Sequence, residues 1–559
     1  MTFLSELRGK PRALYIAEQI EEGTRRRIVH ALARKTLDPR RLLEALFTYS
    51  MRSLSESLQV VLPQLWLLER GASIQRLEQF ILMVSGSGEP AAPLEEALHL
   101  LAERGLVERS FSRVGGAESH QVRQVPLFSL PSPLRPIARR RLGESAQGAL
   151  ERRYRRAFAR LGSPRSRLLF HNGGAPLREL LRGRRDLSKG LQSAIKDRDP
   201  CAFPLAMALI DHDQRQGLLD GVGDTLQQID QIGETLSSAQ KGSLLLHQLE
   251  LALLLGDEAR LRECRERTLA HRGGSQRLRV RASLLLARSA SAHGQLAEAL
   301  QWLQRATSVM EGMEAVLLRA ELAAALTEIF TGLGRYEEAE VCAEEAIKCA
   351  TGDRYLTGEA LHVEGRLLIA LGQYRRAGER LALAQKEYLC STALIQLPQL
   401  LLSQSEAALF CGQFKQAITF VREARRLFSR QRRRWGRAQA NTLLGQIKLA
   451  QGDAAGARLT LSRAIGRSMS PDPRVNSLAY GLSGVAAAQL GEAEWRDYFQ
   501  QGERYAQVDS LTRLKLELRL LEALKRLGHR QEIERSRGAL LVREHPHLDG
   551  EAKGLLRGL

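Results

Sequence analysis

Nine glycines recur at nearly even intervals: Gly217, Gly256, Gly294, Gly334, Gly372, Gly412, Gly452, Gly491 and Gly528, spaced 37 to 40 residues apart. Other residues keep the same period. Two positions after the glycine stands an apolar residue (Leu296, Tyr336, Tyr374, Phe414). Five positions after it stands alanine (Ala299, Ala339, Ala377, Ala417, Ala457), and alanine returns at twelve (Ala306, Ala346, Ala384, Ala424, Ala464). Seven positions before it the residue is small, as at Ala287, Gly365, Ser405, Gly445 and Gly484. A period of this length is the signature of a stacked array, in which each unit buries its apolar face only against its neighbours. Small residues on both sides of a tight turn suit two antiparallel helices whose axes approach closely, and the glycine supplies backbone freedom at the end of the first. Aromatics make up 5%, prolines number 17, and Ala, Leu, Arg, Glu and Gln dominate. These are good helix formers, so the expected fold is all-α.

The pattern resembles the tetratricopeptide repeat, with its small residue at the first helix crossing, aromatic after the turn, and two alanines on the second helix. The period exceeds the usual 34 residues, and the match is strongest over 281–470. The resemblance implies an α-solenoid of about eight or nine hairpins over 201–559, wound as a right-handed superhelix whose concave face binds a protein or peptide. Six positions before the glycine the side chain should point into that groove: Arg288, Glu328, Arg366, Glu406 and Gln446, with His362, Gln439 and Thr442 nearby. Alternating charges of this kind suit a peptide bearing both signs.

The first 200 residues have another texture. "MRSLSESLQVVLPQLWLLERGASIQRLEQFI" carries helix-period apolar residues, and "PLEEALHLLAERGLVERSFS" reads as a helix, a turn at Gly105 and a strand. "VGGAESH" is a loop, and "QVRQVPLFSLPSPLRPIARRRL" returns as a strand and enters another helix. Helices followed by a β-hairpin make a winged-helix pattern. In this order, and followed by repeats, the phrases resemble the rear half of STAND ATPases (signal-transduction ATPases with numerous domains). That resemblance implies a helical segment at 1–40, a winged-helix-like domain at 41–145, bridging helices at 146–200 and the repeats beyond. The ATPase half is not represented. A phosphate-binding loop needs G-x-x-x-x-G-K-[ST], and "RGKP", "GVGDT" and "SGSGEP" each lack part of it.

Chemistry-bearing motifs are missing elsewhere too. No HExxH, CxxC or GxSxG occurs, and His99, His171, His247 and His362 stand apart from one another in sequence. No catalytic, metal or cofactor site is expected. Cys201, Cys264, Cys342, Cys349, Cys390 and Cys411 read as small buried residues of a reducing compartment. With no signal-peptide pattern or long apolar run, a cytoplasmic protein off the membrane is expected. The net charge of +20, from 83 basic and 63 acidic residues, leaves an acidic partner or nucleic acid open. The densest basic run supplies Arg425, Arg426, Arg430, Arg432, Arg433, Arg434, Trp435 and Arg437 as a patch for either. The expected role is a non-catalytic interaction scaffold or sensor in bacterial signalling. A DNA-binding regulator using the winged helix, or a piece of a larger STAND-type ATPase, is the alternative.

Overall fold

The computed structural model describes residues 54–506 apart from short breaks (69–70, 80, 82–93, 105, 115–122, 173–174, 272–273 and 466–468), with scattered positions in 44–52 and 514–553. The segment 1–40, Gly105, the loop after Val114 and the Gly528 turn lie outside the described residues. The chain forms two compact units. One comprises residues 1–170 and 174–212, the other 171–173 and 213–559.

In the first unit, α1 (Glu56–Gln64) is followed by an isolated bridge from Ala72 to Phe128, the short α2 (Ile74–Leu77) and α3 (Leu94–Glu103). An antiparallel hairpin follows, β1 (Glu108–Val114) with β2 (Arg123–Ser129), registered from Glu108↔Ser129 to Val114↔Arg123. Leu62, Leu65, Leu77, Leu98, Leu101 and Phe128 form the buried interior.

Five helices complete this part of the chain: α4 (Arg135–Arg141), α5 (Glu144–Ala159), α6 (Pro164–Phe170), α7 (Ala175–Arg182) and α8 (Arg184–Lys196). Two polar anchors fix α5 to α8. The Tyr154 hydroxyl donates to Asp186 Oδ1 at 2.9 Å, and the buried Arg155 pairs with Asp197 at 2.5 Å and Asp199 at 3.0 Å. A buried guanidinium needs such partners, because leaving it unpaired would cost several kcal/mol. The helix α9 (Ala202–Arg215) then leads to the Gly217 turn.

The second unit is an α-solenoid. After α10 (Leu219–Asp230) come, among the described residues, seven helical hairpins: α11 (Ser238–Leu255) with α12 (Glu258–Ala270), α13 (Gln276–Ala292) with α14 (Leu296–Met310), and α15 (Val316–Gly332) with α16 (Tyr336–Ala350). Then follow α17 (Arg354–Ala370) with α18 (Tyr374–Cys390), α19 (Leu397–Phe410) with α20 (Phe414–Arg430), α21 (Arg434–Ala450) with α22 (Ala454–Ile465), and α23 (Pro473–Gln489) with α24 (Trp495–Ala506). All eight described turn glycines have φ between +70° and +83°. After each, the next residue's N–H donates to the carbonyl five positions back, as Arg335 does to Phe330 and Gln373 to Leu368. This is the Schellman closure that left-handed glycine permits.

The small residues lie where the helices cross. Ala299, Ala339, Ala377, Ala417 and Ala457 are fully buried. A Cβ on Gly365 would come within 2.7 Å of the Leu381 side chain, and one on Gly445 within 2.5 Å of Leu461. Ser405 solves the same problem with a hydroxyl that donates to Ala417 O at 2.8 Å. Tyr374 plugs its hairpin by stacking on Phe410 at 4.8 Å. These units are tetratricopeptide-like hairpins.

A second left-handed position, not anticipated, punctuates the connections between hairpins: Gly312, Gly352, Thr392 and Arg432, with φ of 81°, 92°, 51° and 56°. They are spaced 40 residues apart. Glycine fills the first two, and the last two tolerate a conformation that L-residues rarely adopt.

The cysteines differ from expectation. All six are free, but only Cys264 is buried and the others are half-exposed. Cys342, Cys349 and Cys390 lie on partly solvated helix faces, and Cys201 and Cys411 stand in turns beside helix ends.

Candidate functional site

First helices α11, α13, α15, α17, α19, α21 and α23 pack on one another in sequence, whereas the second helices make no comparable contacts among themselves. The first helices therefore form the inner layer. The edges of the array also meet. Arg215 donates to Ser391 O at 2.9 Å and its carbonyl accepts from Leu394 N at 2.9 Å. A Cβ on Gly256 would come within 2.7 Å of the Trp435 indole, and one on Gly294 within 3.0 Å of Pro473. His171 holds Asp353 at 2.8 Å, and Asn172 Oδ1 accepts from Arg354 N, tying the turn after α6 to the start of α17. These partners stand 176 to 182 residues apart, about four and a half hairpins. Successive superhelical turns thus touch, so that the concave inner face is a lumen.

Charged pairs line it. Arg366 of α17 meets Glu328 of α15 at 2.5 Å, with side-chain exposures of 41% and 37%, so the pair is reachable by solvent. Arg288 of α13 passes over α15 to reach Glu359 of α17 at 2.5 Å. Arg281 and Glu321 approach to 4.0 Å. The Glu359 carboxylate raises the Arg288 guanidinium above its ordinary value against the opposing effect of burial. Burial pushes the Glu328 carboxyl up, but Arg366 and its hydrogen bond outweigh it and hold the group low. His362 is buried, with Nε2 3.1 Å from Ser403 Oγ and its ring edge-on to Tyr388. Burial, reinforced by Arg366 and opposed by Glu328, pushes it down to about 3. It is a neutral lining residue.

The predicted groove residues divide. Arg288, Glu328, His362 and Arg366 converge in the lumen, and Glu406 lies near enough to act on Arg366. Gln439 is half-buried on α21. Thr442 and Gln446 are buried, and Thr442 turns its hydroxyl back to Ala438 O at 3.0 Å. Thr442 therefore offers a ligand nothing. Missed by the sequence reading were Glu359, two turns before Arg366, and Tyr355, whose hydroxyl accepts from Gln396 Nε2 at 3.1 Å. Their signal was the same inner-helix face, two and three turns nearer its start.

The basic run is not one patch. Arg425, Arg426 and Arg430 join Arg422 around Ser429 on the outside of α20. The chain then reverses at Arg432, which pairs with Asp220 at 3.1 Å. Arg433 turns inward, donating to Ile395 O at 3.1 Å and lying over the Phe428 ring, and burial pushes it down to about 10. Trp435 packs on Gly256 and His293 between turns, so it cannot stack on a base. Arg434 is exposed and Arg437 half-buried.

Among the described residues no cluster of His, Cys, Asp and Glu is arranged to hold a metal, and no helix is long and apolar enough to cross a membrane. Burial pushes the thiols of Cys201 and Cys342 up to about 11, which removes the thiolate that a nucleophile requires.

No protein-family model matches the chain, and no curated protein matches it. Several solved structures are similar at low identity. A Rap protein complexed with competence and sporulation factor is 14% identical, with a TM-score of 0.48 over 66% of this chain and all of that one. A STAND protein with a tetratricopeptide repeat sensor from Pyrococcus horikoshii is 12% identical, with a TM-score of 0.38 over 90% of this chain and 68% of that one. The apo quorum sensor NprR from B. thuringiensis is 13% identical, with a TM-score of 0.38 over 65% of this chain and 99% of that one.

Proposed function

We propose that this chain is a non-catalytic sensor or scaffold whose lumen takes an extended peptide, free or as a segment of a partner protein. One observation carries the reading: solvent-reachable ion pairs join first helices across the interior, Arg366 to Glu328 and Arg288 to Glu359. Such pairs are exchangeable where a peptide supplies a group to each partner, so that neither charge is left unmatched. The Arg288–Glu359 bridge spans two hairpins, which favours an extended strand over a bulky helix. Around Arg288 and Arg366 stand Glu250, Glu321, Glu328, Glu359 and Glu406, and Arg474 is engaged by Asp472 at 2.8 Å. Carboxylates outnumber guanidinium groups there in a chain of net charge +20. The fitting peptide carries net positive charge and one anionic group for an arginine.

DNA binding is the weaker reading. The winged-helix-like domain would present α3 to a groove, yet α3 exposes Glu95, Glu96 and Glu103, which phosphates repel. The split of the basic run removes the other support.

Selection from a randomised heptapeptide library on the full chain tests the proposal. Cationic peptides should be enriched, and Glu328→Gln with Glu359→Gln should weaken that enrichment while helicity is unchanged. Enrichment of acidic peptides, or equal enrichment by the variant, would overturn it.

A further inference from the structure

The second helices form the outer layer of the solenoid, and two of them carry charge of nearly one sign. Around Ser429 on α20 lies a surface hollow of about 500 Å³ walled by Arg422, Arg425, Arg426 and Arg430, with no carboxylate in its lining. Lys415, exposed two turns before Arg422, extends the same face. The one acidic residue of α20, Glu423, is taken by Arg426 at 3.4 Å. Lys415, Arg422, Arg425 and Arg430 make no ion pair among the described residues.

The counterpart of this face stands two hairpins earlier. Helix α16 exposes Glu337, Glu340, Glu344 and Glu345, which likewise make no ion pair among the described residues, while Glu338 is held by Arg335. Lys348 is its one basic residue. Val341 stands amid these carboxylates and is 67% exposed. The two faces coincide in the repeat. Glu337 and Lys415 each follow their turn glycine by three positions, Val341 and Thr419 by seven, and Glu344 and Arg422 by ten.

Like charges three or four positions apart, such as Glu340 with Glu344 and Arg422 with Arg426, destabilise the helix that carries them. A merely solvated face interleaves its signs, as α12 does in pairing Arg267 with Glu263 at 3.3 Å. Within one chain the two ridges cannot neutralise each other. The α17–α18 hairpin stands between them, and their turn glycines, Gly334 and Gly412, lie 78 residues apart. That is a little under half of the 176 to 182 residues that separate touching coils. The ridges therefore face opposite flanks of the solenoid.

We propose that these flanks are the two halves of a contact between copies of this chain, the acidic α16 of one copy lying on the basic α20 of the next. Four unpaired carboxylates meet four unpaired cations, and the aliphatic stems of the arginines cover Val341. Complementary patches on opposite flanks give a head-to-tail contact, which repeats from copy to copy instead of closing as a two-fold dimer. The contact does not depend on what the lumen binds.

Sedimentation velocity of the full chain over a hundredfold range of concentration tests this. In low salt the sedimentation coefficient should rise with concentration past that of a dimer, and raised salt should restore the monomer. Glu337→Lys with Glu340→Lys and Glu344→Lys should weaken association at least about tenfold, and so should Arg422→Glu with Arg425→Glu and Arg430→Glu. An equimolar mixture of the two variants should associate again, because each presents to the other a ridge of opposite charge on both flanks. Recovery in the mixture separates loss of the contact from loss of the fold. A chain that stays monomeric at every concentration, a variant that associates like the parent, or a mixture that stays monomeric would overturn the proposal. So would a monomeric parent that binds duplex DNA or an acidic protein through α20, since that molecule would then be the occupant.

Discussion

Acidification isolates the contribution of one lumen residue. His362 is 7% exposed and sits beside Arg366, and its folded-state value is pushed from 6.5 to about 3. In the unfolded chain the imidazole takes up a proton near pH 6.5, whereas in the folded chain it does not until about pH 3. Between those values the unfolded state binds more protons, so stability falls as the pH falls. At pH 5 the difference amounts to about 2 kcal/mol, from roughly 1.4 kcal/mol per pH unit over one and a half units. His362→Gln keeps an amide donor for Ser403 but cannot be protonated, so it should lack this component. Hydrogen exchange of α17 amides, compared between pH 7 and pH 5, measures the local opening free energy. The parent chain should lose about 2 kcal/mol more than the variant. Carboxylates away from His362 titrate in both proteins and cancel. Parallel losses, or an imidazole resonance that titrates near pH 6.5, would refute the account of a desolvated, neutral ring.

Two further substitutions probe the repeat. Gly365→Ala should destabilise the array by about 1–3 kcal/mol, read from urea denaturation, because its methyl would lie 2.7 Å from the fully buried Leu381. Thr392→Gly should stabilise it by about 1 kcal/mol, since a β-branched residue at φ 51° with an unbonded buried hydroxyl is replaced by one that accepts the conformation. An unchanged or lower denaturation midpoint would show that the Thr392 backbone carries no strain.

Much of the solenoid was legible because its constraints are local. The glycine ending each first helix and the alanines behind it must recur wherever two helices cross at the same distance, and Gly217 through Gly491 all have the backbone conformation that their spacing implied. The second left-handed series was harder to see, because Thr392 and Arg432 continue what Gly312 and Gly352 begin. Periodicity also placed Arg288 and Arg366 on the inner face. It could not say that Thr442 would turn its hydroxyl back to Ala438, since a small rotation of α21 separates lining from packing. Nor could it show that Trp435, inside an arginine run, is spent on Gly256. That contact joins residues 179 positions apart, and no local pattern encodes it.

The fastening of each coil to the one beneath it changes what the chain tolerates in length. In an open solenoid a hairpin can be lost or duplicated, since only its neighbours notice. Here, removing one hairpin between Gly256 and Trp435 would bring the wrong residue opposite each glycine along the whole edge. The number of hairpins is thereby locked, like the thread count of a screw cut to fit its own nut.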